Sequence, residues 1–149
     1  MQRLAKAWNT LPDLLETRGR VELGASEWIW SGPDRFLLIE LEGPHGVLAL
    51  QTLVEDCAAV IDQSDGRFVL RLSGPAVRRT LAKGVGIDLH PAVFGPDATA
   101  LTQLSHLGVQ LTRVGDGDVF DLIGPRAAAD DLCDWLLASA AQYGMQIEL

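Results

Sequence analysis

The residues that could carry catalysis are few, and the sequence around them favours turns. Ser64 lies between Asp62 and Asp65, an arrangement that would place a nucleophile beside acids. The surrounding residues have turn composition, however, and lack the G-x-S-x-G elbow that exposes a nucleophilic serine. Asp116 and Asp118 flank a glycine and are equally usual in a turn. These positions therefore predict turns, and we expect no catalytic residue in this chain.

Histidine and cysteine, the residue types that ligate transition metals, are also scattered. His45, His90 and His106 stand apart, and none falls within H-E-x-x-H or beside a pair of cysteines. Cys57 and Cys133 suit reduced, buried thiols better than a disulfide framework. Neither G-x-G-x-x-G nor G-x-x-x-x-G-K-[ST] is complete. The sequence thus predicts neither a metal site nor a cofactor-binding loop in this chain.

Length, composition and charge exclude several functional classes. A chain of 149 residues has room for one compact domain, and its 48% apolar and 21% charged residues are ordinary globular usage. The formal net charge of −8 argues against binding to nucleic acid or to an anionic membrane. No apolar run approaches the roughly 18 residues of a membrane span, and the N-terminus lacks the apolar stretch of a secretory signal. We expect a cytoplasmic protein.

The first 20 residues predict a helical arm. Apolar residues that include Trp8 recur there at intervals of four, three and four, although Pro12 interrupts the pattern. Such an apolar face must be covered, either by this domain or by another chain. We expect an N-terminal helical arm over residues 1–20 and one domain over 21–149, with Trp8 as a candidate contact to a partner.

The remaining sequence alternates hairpins with helices. Period-two apolar patterns and turn signals predict strands, whereas longer apolar-periodic stretches bounded by Gly or Pro predict helices. The first half is predicted to form a hairpin around 27–31 and 36–41, a helix over 43–57 and a second hairpin that joins 58–62 to 67–72 across Asp65-Gly66. A helix over 73–84 follows, with Gly84 as a left-handed stop. The remainder is predicted to form strands over 101–107, 109–114 and 119–123, a helix over 125–143 and a short terminal strand over 145–149. This order predicts an α+β domain in which helices pack on a mostly antiparallel sheet.

The final predicted helix carries more apolar residues than one stripe requires. Trp135 lies within this excess. Its second apolar face either contacts a partner chain or is surrounded by the domain itself.

A central stretch of the sequence resembles a known family. From Val60 to Pro91 the chain reads VIDQSDGRFVLRLSGPAVRRTLAKGVGIDLHP. It is similar to sarcosine oxidase gamma subunits, which carry an aspartate, a serine, an arginine and then R-[LI]-x-G-P, A-K-G and D-L-H-P elements in this order. The corresponding positions are Asp62, Ser64, Arg67, Arg71 to Pro75, Ala82 to Gly84 and Asp88 to Pro91.

The resemblance extends beyond the centre. Trp30 to Leu38 is similar to the family's W-x-G-P-D-x-[WF]-L-L hairpin, and the Trp135 region with Tyr143-Gly144 is similar to its C-terminal helix. Two features depart from the pattern. Met1 to Arg20 does not show the family's usual leading segment, and the chain lacks the K-x-x-C-x-G-x-G-R motif of the iron–sulfur repair proteins that share the fold.

The resemblance implies a fold related to the tetrahydrofolate-binding domain of the glycine-cleavage aminomethyltransferase. It implies a heterotetramer in which large alpha-type and beta-type flavoprotein subunits and a small delta-type subunit hold FAD, FMN, NAD, zinc and tetrahydrofolate, whereas the gamma subunit holds no cofactor. Such a complex oxidises the N-methyl group of an amino acid to an imine. It then passes the one-carbon unit to tetrahydrofolate or releases it as formaldehyde. On this resemblance the chain is a subunit of an oxidoreductase and has no catalytic site of its own.

Three hypotheses follow for the chain. The first is a non-catalytic structural and assembly subunit of a sarcosine oxidase-like complex. The second is a stand-alone tetrahydrofolate-binding one-carbon protein, and the third is a homo-oligomeric interaction module that uses the final helix. The polar candidates could equally form ion pairs or caps within the domain. The candidate partner contacts are Asp62, Ser64, Arg67, Arg71, Lys83, Asp88, His90, Trp8 and Trp135.

Overall fold

The computed structural model describes residues 18–23, 25–40, 46–56 and 58–147. The chain divides into two compact units, Met1–Gln63 and Ser64–Leu149. Up to residue 17 the predicted helical arm, with Trp8, lies outside the described residues. So do His45 and Cys57.

The first unit contains a three-stranded antiparallel sheet, in the order β1 (Arg20–Leu23), β2 (Ser26–Trp30) and β3 (Phe36–Glu40). The predicted hairpin is confirmed, because β2 and β3 pair along their whole length. Its turn requires left-handed backbone, with φ of 117° at Gly32 and 56° at Asp34. Glycine and aspartate are among the residues that adopt this conformation at least cost.

The first unit also contains helix α1 (Val47–Val54). Trp28 of β2 and Val54 of α1 form the buried centre of a small apolar cluster. Gln51 Nε2 donates to the Val60 carbonyl oxygen at 3.1 Å, which attaches the segment after α1 to the helix. Partly buried apolar residues complete the cluster: Val21, Leu23, Phe36, Leu38, Leu50 and Val60.

A buried ion pair lies across β1 and β2. Arg20 Nε donates to Glu27 Oε2 at 3.0 Å, and Arg20 Nη2 lies 2.8 Å from Glu27 Oε1. Glu22 also accepts from Arg20. Both Arg20 and Glu27 are buried, so the two-pronged contact compensates the desolvation of each charge.

The second unit contains a four-stranded antiparallel sheet in the order β4-β7-β6-β5. The sequence neighbours β5 and β6, and β6 and β7, form hairpins. Strand β4 instead pairs with β7 over seven residues, so the fourth strand joins the sheet by pairing with a distant part of the chain. The strands are β4 (Arg67–Ser73), β5 (Thr99–Leu104), β6 (Leu107–Arg113) and β7 (Val119–Pro125).

One face of this sheet is covered by helices. Helix α2 (Val77–Leu81) follows β4, and a 3-10 turn (Arg126–Ala128) leads from β7 into α3 (Ala129–Ala140). Period-two apolar positions of the strands meet the apolar stripes of both helices, which is the packing that the sequence pattern predicts. The centre of this core is formed by the fully buried side chains of Leu81, Leu104, Leu111, Phe120, Leu122 and Leu132.

The predicted hairpin between 58–62 and 67–72 is wrong. Residues 58–63 form no strand, and Asp65-Gly66 lies in a turn that leads into β4 without a hairpin partner before it. Pairing with β7 places Phe68, Leu70 and Leu72 on the helix-covered face, where they pack against the core. The short apolar run before the turn cannot offer β4 an equivalent seven-residue partner.

The helix boundaries also differ from the prediction. Helix α2 spans Val77–Leu81, shorter than 73–84, because Gly74 takes a left-handed φ of 115° before it. The last helix begins at Ala129 after the 3-10 turn and ends at Ala140. Residues 145–147 form no strand, and 148–149 lie outside the described residues. The predicted α+β class with antiparallel sheets is confirmed.

Candidate interaction surface

Arg71 is held on β4 by a carboxylate of the neighbouring strand. Its Nε donates to Asp121 Oδ1 at 2.8 Å and its Nη2 to Asp121 Oδ2 at 2.7 Å. The two residues are direct partners in the β4–β7 register. The Asp121 side chain is 2% exposed and that of Arg71 is 55% exposed. Arg71 therefore neutralises a buried carboxylate while part of its guanidinium faces outward.

Three further sequence candidates lie just before and at the start of β4. Asp62 and Ser64 are exposed, in the irregular segment and turn that precede the strand. Arg67 is the first residue of β4 and is half-buried. The backbone here is fixed by the Arg126 N–H, which donates to the Gly66 carbonyl oxygen at 2.9 Å.

Asp88 and His90 belong to one exposed loop. The His90 backbone N–H donates to Asp88 Oδ1 at 2.8 Å, and the Ala92 N–H donates to His90 Nδ1 at 3.2 Å. Both side chains thus cap backbone groups of their own loop. Arg78 holds the loop from α2 by donating to the Leu89 carbonyl oxygen.

Two arginines order the loops at this end of the sheet. Arg78 Nε donates to Asp118 Oδ1 at 2.6 Å, and the guanidinium carbon lies 4.9 Å from the centre of the Phe120 ring. Arg113 is buried and donates to three carbonyl oxygens, at 3.2 Å to Phe94, 3.1 Å to Gly117 and 2.6 Å to Asp116; these bonds fix the β6–β7 turn.

Trp135 packs on Gly84 within the second unit. A Cβ atom added at Gly84 would lie 2.8 Å from Trp135 Cη2 and 3.0 Å from Cε2, closer than real contacts. The predicted left-handed conformation of Gly84 is wrong, since Gly84 is not among the residues with positive φ. Glycine is required here because the indole ring approaches the backbone. Trp135 is half-buried and packs against the core of the second unit.

Lys83 meets Arg79 over a single aromatic ring. The Arg79 guanidinium carbon lies 4.9 Å from the centre of the Tyr143 ring, and Lys83 Nζ lies 5.0 Å from it. Lys83 also donates to the Ser139 carbonyl oxygen in the last turn of α3, where a cation is favoured. Among the described carboxylates, none lies within ion-pair distance of Arg79 or Lys83. Both cations are exposed.

A groove of about 450 Å³ adjoins this cluster and shares Tyr143 with it. One wall is the Ser73-Gly74-Pro75 turn with the start of α2, and the other is the end of α3 with the residues that follow it. Tyr143 and Met145 are exposed by 38% and 45%. We call Arg79, Lys83, Tyr143 and this groove the Tyr143 surface.

The structure brings only some of the sequence candidates together. Lys83 and Trp135 lie at the contact between the α2 end and α3, Asp88 and His90 share one loop, and Arg67 and Arg71 lie along β4. Residues that the sequence reasoning did not select complete these contacts. Arg78 and Arg79 are not among the candidates that the sequence predicts, and the Tyr143-Gly144 pair was identified only through the family resemblance. The added residues are Asp121, Arg78, Asp118, Arg79 and Tyr143.

The described part of the chain contains neither a cluster of metal-ligating side chains nor a helix suited to crossing a membrane. No group of three or more His, Cys, Asp or Glu side chains within residues 18–147, gaps excepted, could hold a metal ion. Cys133, on α3, is a half-buried free thiol. None of the described helices has the length and apolarity that a membrane crossing requires.

The sequence matches the model of the sarcosine oxidase, gamma subunit family over residues 13–142. The sarcosine oxidase subunit gamma of Corynebacterium sp. strain P-1 is 35% identical over 120 residues, which cover 79% of this chain and 58% of the relative. The subunit of the same name from Corynebacterium sp. strain U-96 is 36% identical over 117 residues, covering 77% and 56%. The chain thus spans somewhat more than half the length of these curated relatives.

The fold also matches a solved structure. A chain of the heterotetrameric sarcosine oxidase from Corynebacterium sp. U-96, in complex with pyrrole 2-carboxylate, superposes with a TM-score of 0.79 and 26% sequence identity. The match covers 94% of this chain and 76% of that chain. The likeness therefore extends over almost all of the sequence and includes both compact units.

Proposed function

Because this chain belongs to the sarcosine oxidase, gamma subunit family, we propose that it is a non-catalytic structural and assembly subunit of a multisubunit, flavin-dependent complex. The complex oxidatively demethylates an N-methyl amino acid. The observation that carries this proposal is the match over 94% of the chain to a subunit of a heterotetrameric sarcosine oxidase.

The side chains of the second unit support a role in assembly. The two buried charged residues described there serve the fold: Arg113 bonds three carbonyl oxygens and Asp121 binds Arg71. The exposed cations of the Tyr143 surface have no such carboxylate among the described residues. This division is what a subunit needs when its interior holds it together and its surface contacts a larger protein.

We assign the cofactors to the partners. On this proposal, alpha-type and beta-type flavoprotein subunits and a small delta-type subunit hold FAD, FMN, NAD, zinc and tetrahydrofolate, and the complex is cytoplasmic. The substrate class is an N-methyl amino acid of the sarcosine type. The domain division into an arm over 1–20 and a domain over 21–149 also remains our proposal, with Trp8, Asp62, Ser64, Arg67, Arg71, Lys83, Asp88, His90 and Trp135 as candidate contacts.

Reconstitution tests the assembly role. The alpha-, beta- and delta-type subunits encoded with this chain are co-expressed with it and without it, and the products are compared by size-exclusion chromatography and by peroxide release from sarcosine. We expect the chain to co-elute with the larger subunits, to show no turnover alone, and to raise the yield of assembled, active complex. A chain that elutes as a monomer beside the assembled partners contradicts the proposal.

Calorimetry on the isolated chain distinguishes the alternative of a stand-alone one-carbon protein. Saturable binding of tetrahydrofolate without partner subunits would favour that alternative. Turnover of any N-methyl compound by the purified chain would do the same. On the assembly proposal neither signal appears, whereas titration with the partner subunits gives a saturable heat.

A further inference from the structure

We propose that the Tyr143 surface is the docking site for an extended segment of a partner subunit that carries a carboxylate beside an apolar side chain. This inference rests on the proposed assembly function and specifies the chemistry of one contact. It is carried by three features that meet at Tyr143: two cations, one exposed aromatic ring and the adjoining groove.

The first feature is positive charge that no carboxylate of the described residues neutralises. Arg79 and Lys83 are four residues apart and both lie within about 5 Å of the same ring centre. Like charges at this spacing repel each other. The chain has 20 acidic residues against 12 basic ones, and Arg20, Arg71 and Arg78 each bind a carboxylate. Among the described residues no carboxylate lies within ion-pair distance of Arg79 or Lys83, so an acidic group of another chain would relieve the repulsion between them.

The second feature is the Tyr143 ring, because it positions the hydrogen-bond donors of both cations. The Tyr143 ring holds both cations in place through its negative face, which reduces the entropy lost when a partner binds. Lys83 uses one N–H for the Ser139 carbonyl oxygen and keeps two for an external acceptor. The Arg79 guanidinium makes no hydrogen bond to another described group, so its donors are available for a two-pronged contact with a carboxylate.

The third feature is the groove, which distinguishes a polypeptide from a small anion. Two exposed cations alone bind a free anion weakly. The groove is lined by the apolar side chains of Pro75, Leu136 and Ala140, and exposed Met145 extends its rim; polar groups, among them Arg71 and Ser73, line it to a similar extent. A ligand with an apolar group next to its carboxylate fills both parts. An extended acidic segment has this chemistry, because alternate side chains of an extended chain project from the same face about 7 Å apart, so that one can enter the groove while the other reaches the cations.

The direct test is zero-length carbodiimide coupling in the assembled complex. The reagent joins an amine to a carboxylate only when the two are in contact. We expect Lys83 to couple to an aspartate or glutamate of a partner subunit, with an apolar residue two positions away in the coupled peptide identified by mass spectrometry. The variant Lys83→Arg removes the amine and should lose this cross-link.

Affinity measurements provide the second readout. Arg79→Glu is titrated into the remaining subunits by calorimetry at low and at high ionic strength. Its matched control is Arg126→Glu, which makes the same charge change at another exposed position of the second unit. We expect Arg79→Glu to weaken binding by about tenfold or more at low salt, which corresponds to the loss of one charge-assisted contact. The control should change the affinity by less than about twofold, as a rim charge does.

The outcomes separate this inference from the proposed function. If the unaltered chain binds none of the subunits, both fail together. If it binds but Arg79→Glu matches its control and Lys83 couples to no partner carboxylate, only the docking site is wrong. Coupling of Lys83 to a second copy of this chain, or binding of inorganic phosphate at Arg79 without any effect on assembly, also overturns it. Circular dichroism of Arg79→Glu confirms that the variant is folded.

Discussion

Helix α2 places two consecutive arginines in contrasting surroundings. Arg78 and Arg79 each lie 4.9 Å from the centre of an aromatic ring, Phe120 and Tyr143 respectively. Phe120 is fully buried, and Arg78 also binds the Asp118 carboxylate and the Leu89 carbonyl oxygen. Tyr143 is exposed, and no described carboxylate approaches Arg79.

The difference shows how one residue type serves two purposes in a small subunit. On the inner side of α2 the guanidinium satisfies groups of the chain itself, so its removal should affect the free energy of unfolding. On the outer side the same group keeps its hydrogen-bonding capacity, so its removal should affect association. Stability and affinity can therefore be separated by variants at adjacent positions.

The largest loss of stability is expected at Arg113, the buried arginine at the end of β6, which like Arg78 bonds groups of its own chain. Substitution Arg113→Met keeps much of the side-chain length but leaves the carbonyl oxygens of Phe94, Asp116 and Gly117 without their donor. Losing three hydrogen bonds donated by a buried, charged side chain predicts a decrease in the free energy of unfolding of about 3 kcal/mol. Urea denaturation measures it. Arg126→Met, at an exposed position, is the control; equal effects of the two variants would show that the Arg113 bonds are unimportant.

The second largest effect is expected at the glycine under Trp135. Gly84→Val places a branched side chain where the indole ring lies, and overpacking of this kind predicts a loss of about 2 kcal/mol. Gly86→Val is a close control, since a Cβ atom at Gly86 meets nothing within 4 Å. Thermal unfolding of both variants tests the prediction. It is contradicted if Gly84→Val melts at the same temperature as Gly86→Val.

The fold was predictable where the sequence signals are local. The Gly32-Pro33-Asp34 turn identified the β2–β3 hairpin because the turn residues and the flanking apolar residues are neighbours in sequence. Strand β4 was predicted, but its partner was not. Arg71 and Asp121 are 50 residues apart, and nothing near β4 indicates that β7 is the strand beside it. The Asp65-Gly66 turn signal favoured the nearer, incorrect partner.

The contacts of the candidate residues were less predictable than the fold. Arg71, Lys83 and Trp135 each have specific contacts within the chain, and their contact with a partner stays a prediction. That Arg79 and Lys83 meet over Tyr143 depends on how the end of α3 lies against α2. No sequence periodicity encodes that contact. Gly84 likewise looked like a helix stop, because a close approach by a ring 51 positions away leaves no local signal.

A smaller effect is expected for the inner arginine of the pair. Arg78→Met removes the Asp118 ion pair, the bond to the Leu89 carbonyl oxygen and the contact with the Phe120 ring. Because Asp118 is 44% exposed, the ion pair itself contributes little. The ring contact and the carbonyl bond together predict a loss of about 1–2 kcal/mol. Urea denaturation checks the value, and a loss below that of Arg79→Met would reverse the comparison.

The smallest effect on stability is expected for the outer arginine. Arg79→Met gives up only an exposed contact with Tyr143, for which a loss of about 0.5 kcal/mol or less is expected. The methionine is itself a good helix former, so α2 should not suffer from the exchange. Urea denaturation of Arg78→Met and Arg79→Met under identical conditions measures the contrast directly. If Arg79→Met instead loses as much stability as Arg78→Met, then Arg79 serves chiefly to hold the end of α3, and the distinction between an inner arginine for folding and an outer one for association is wrong.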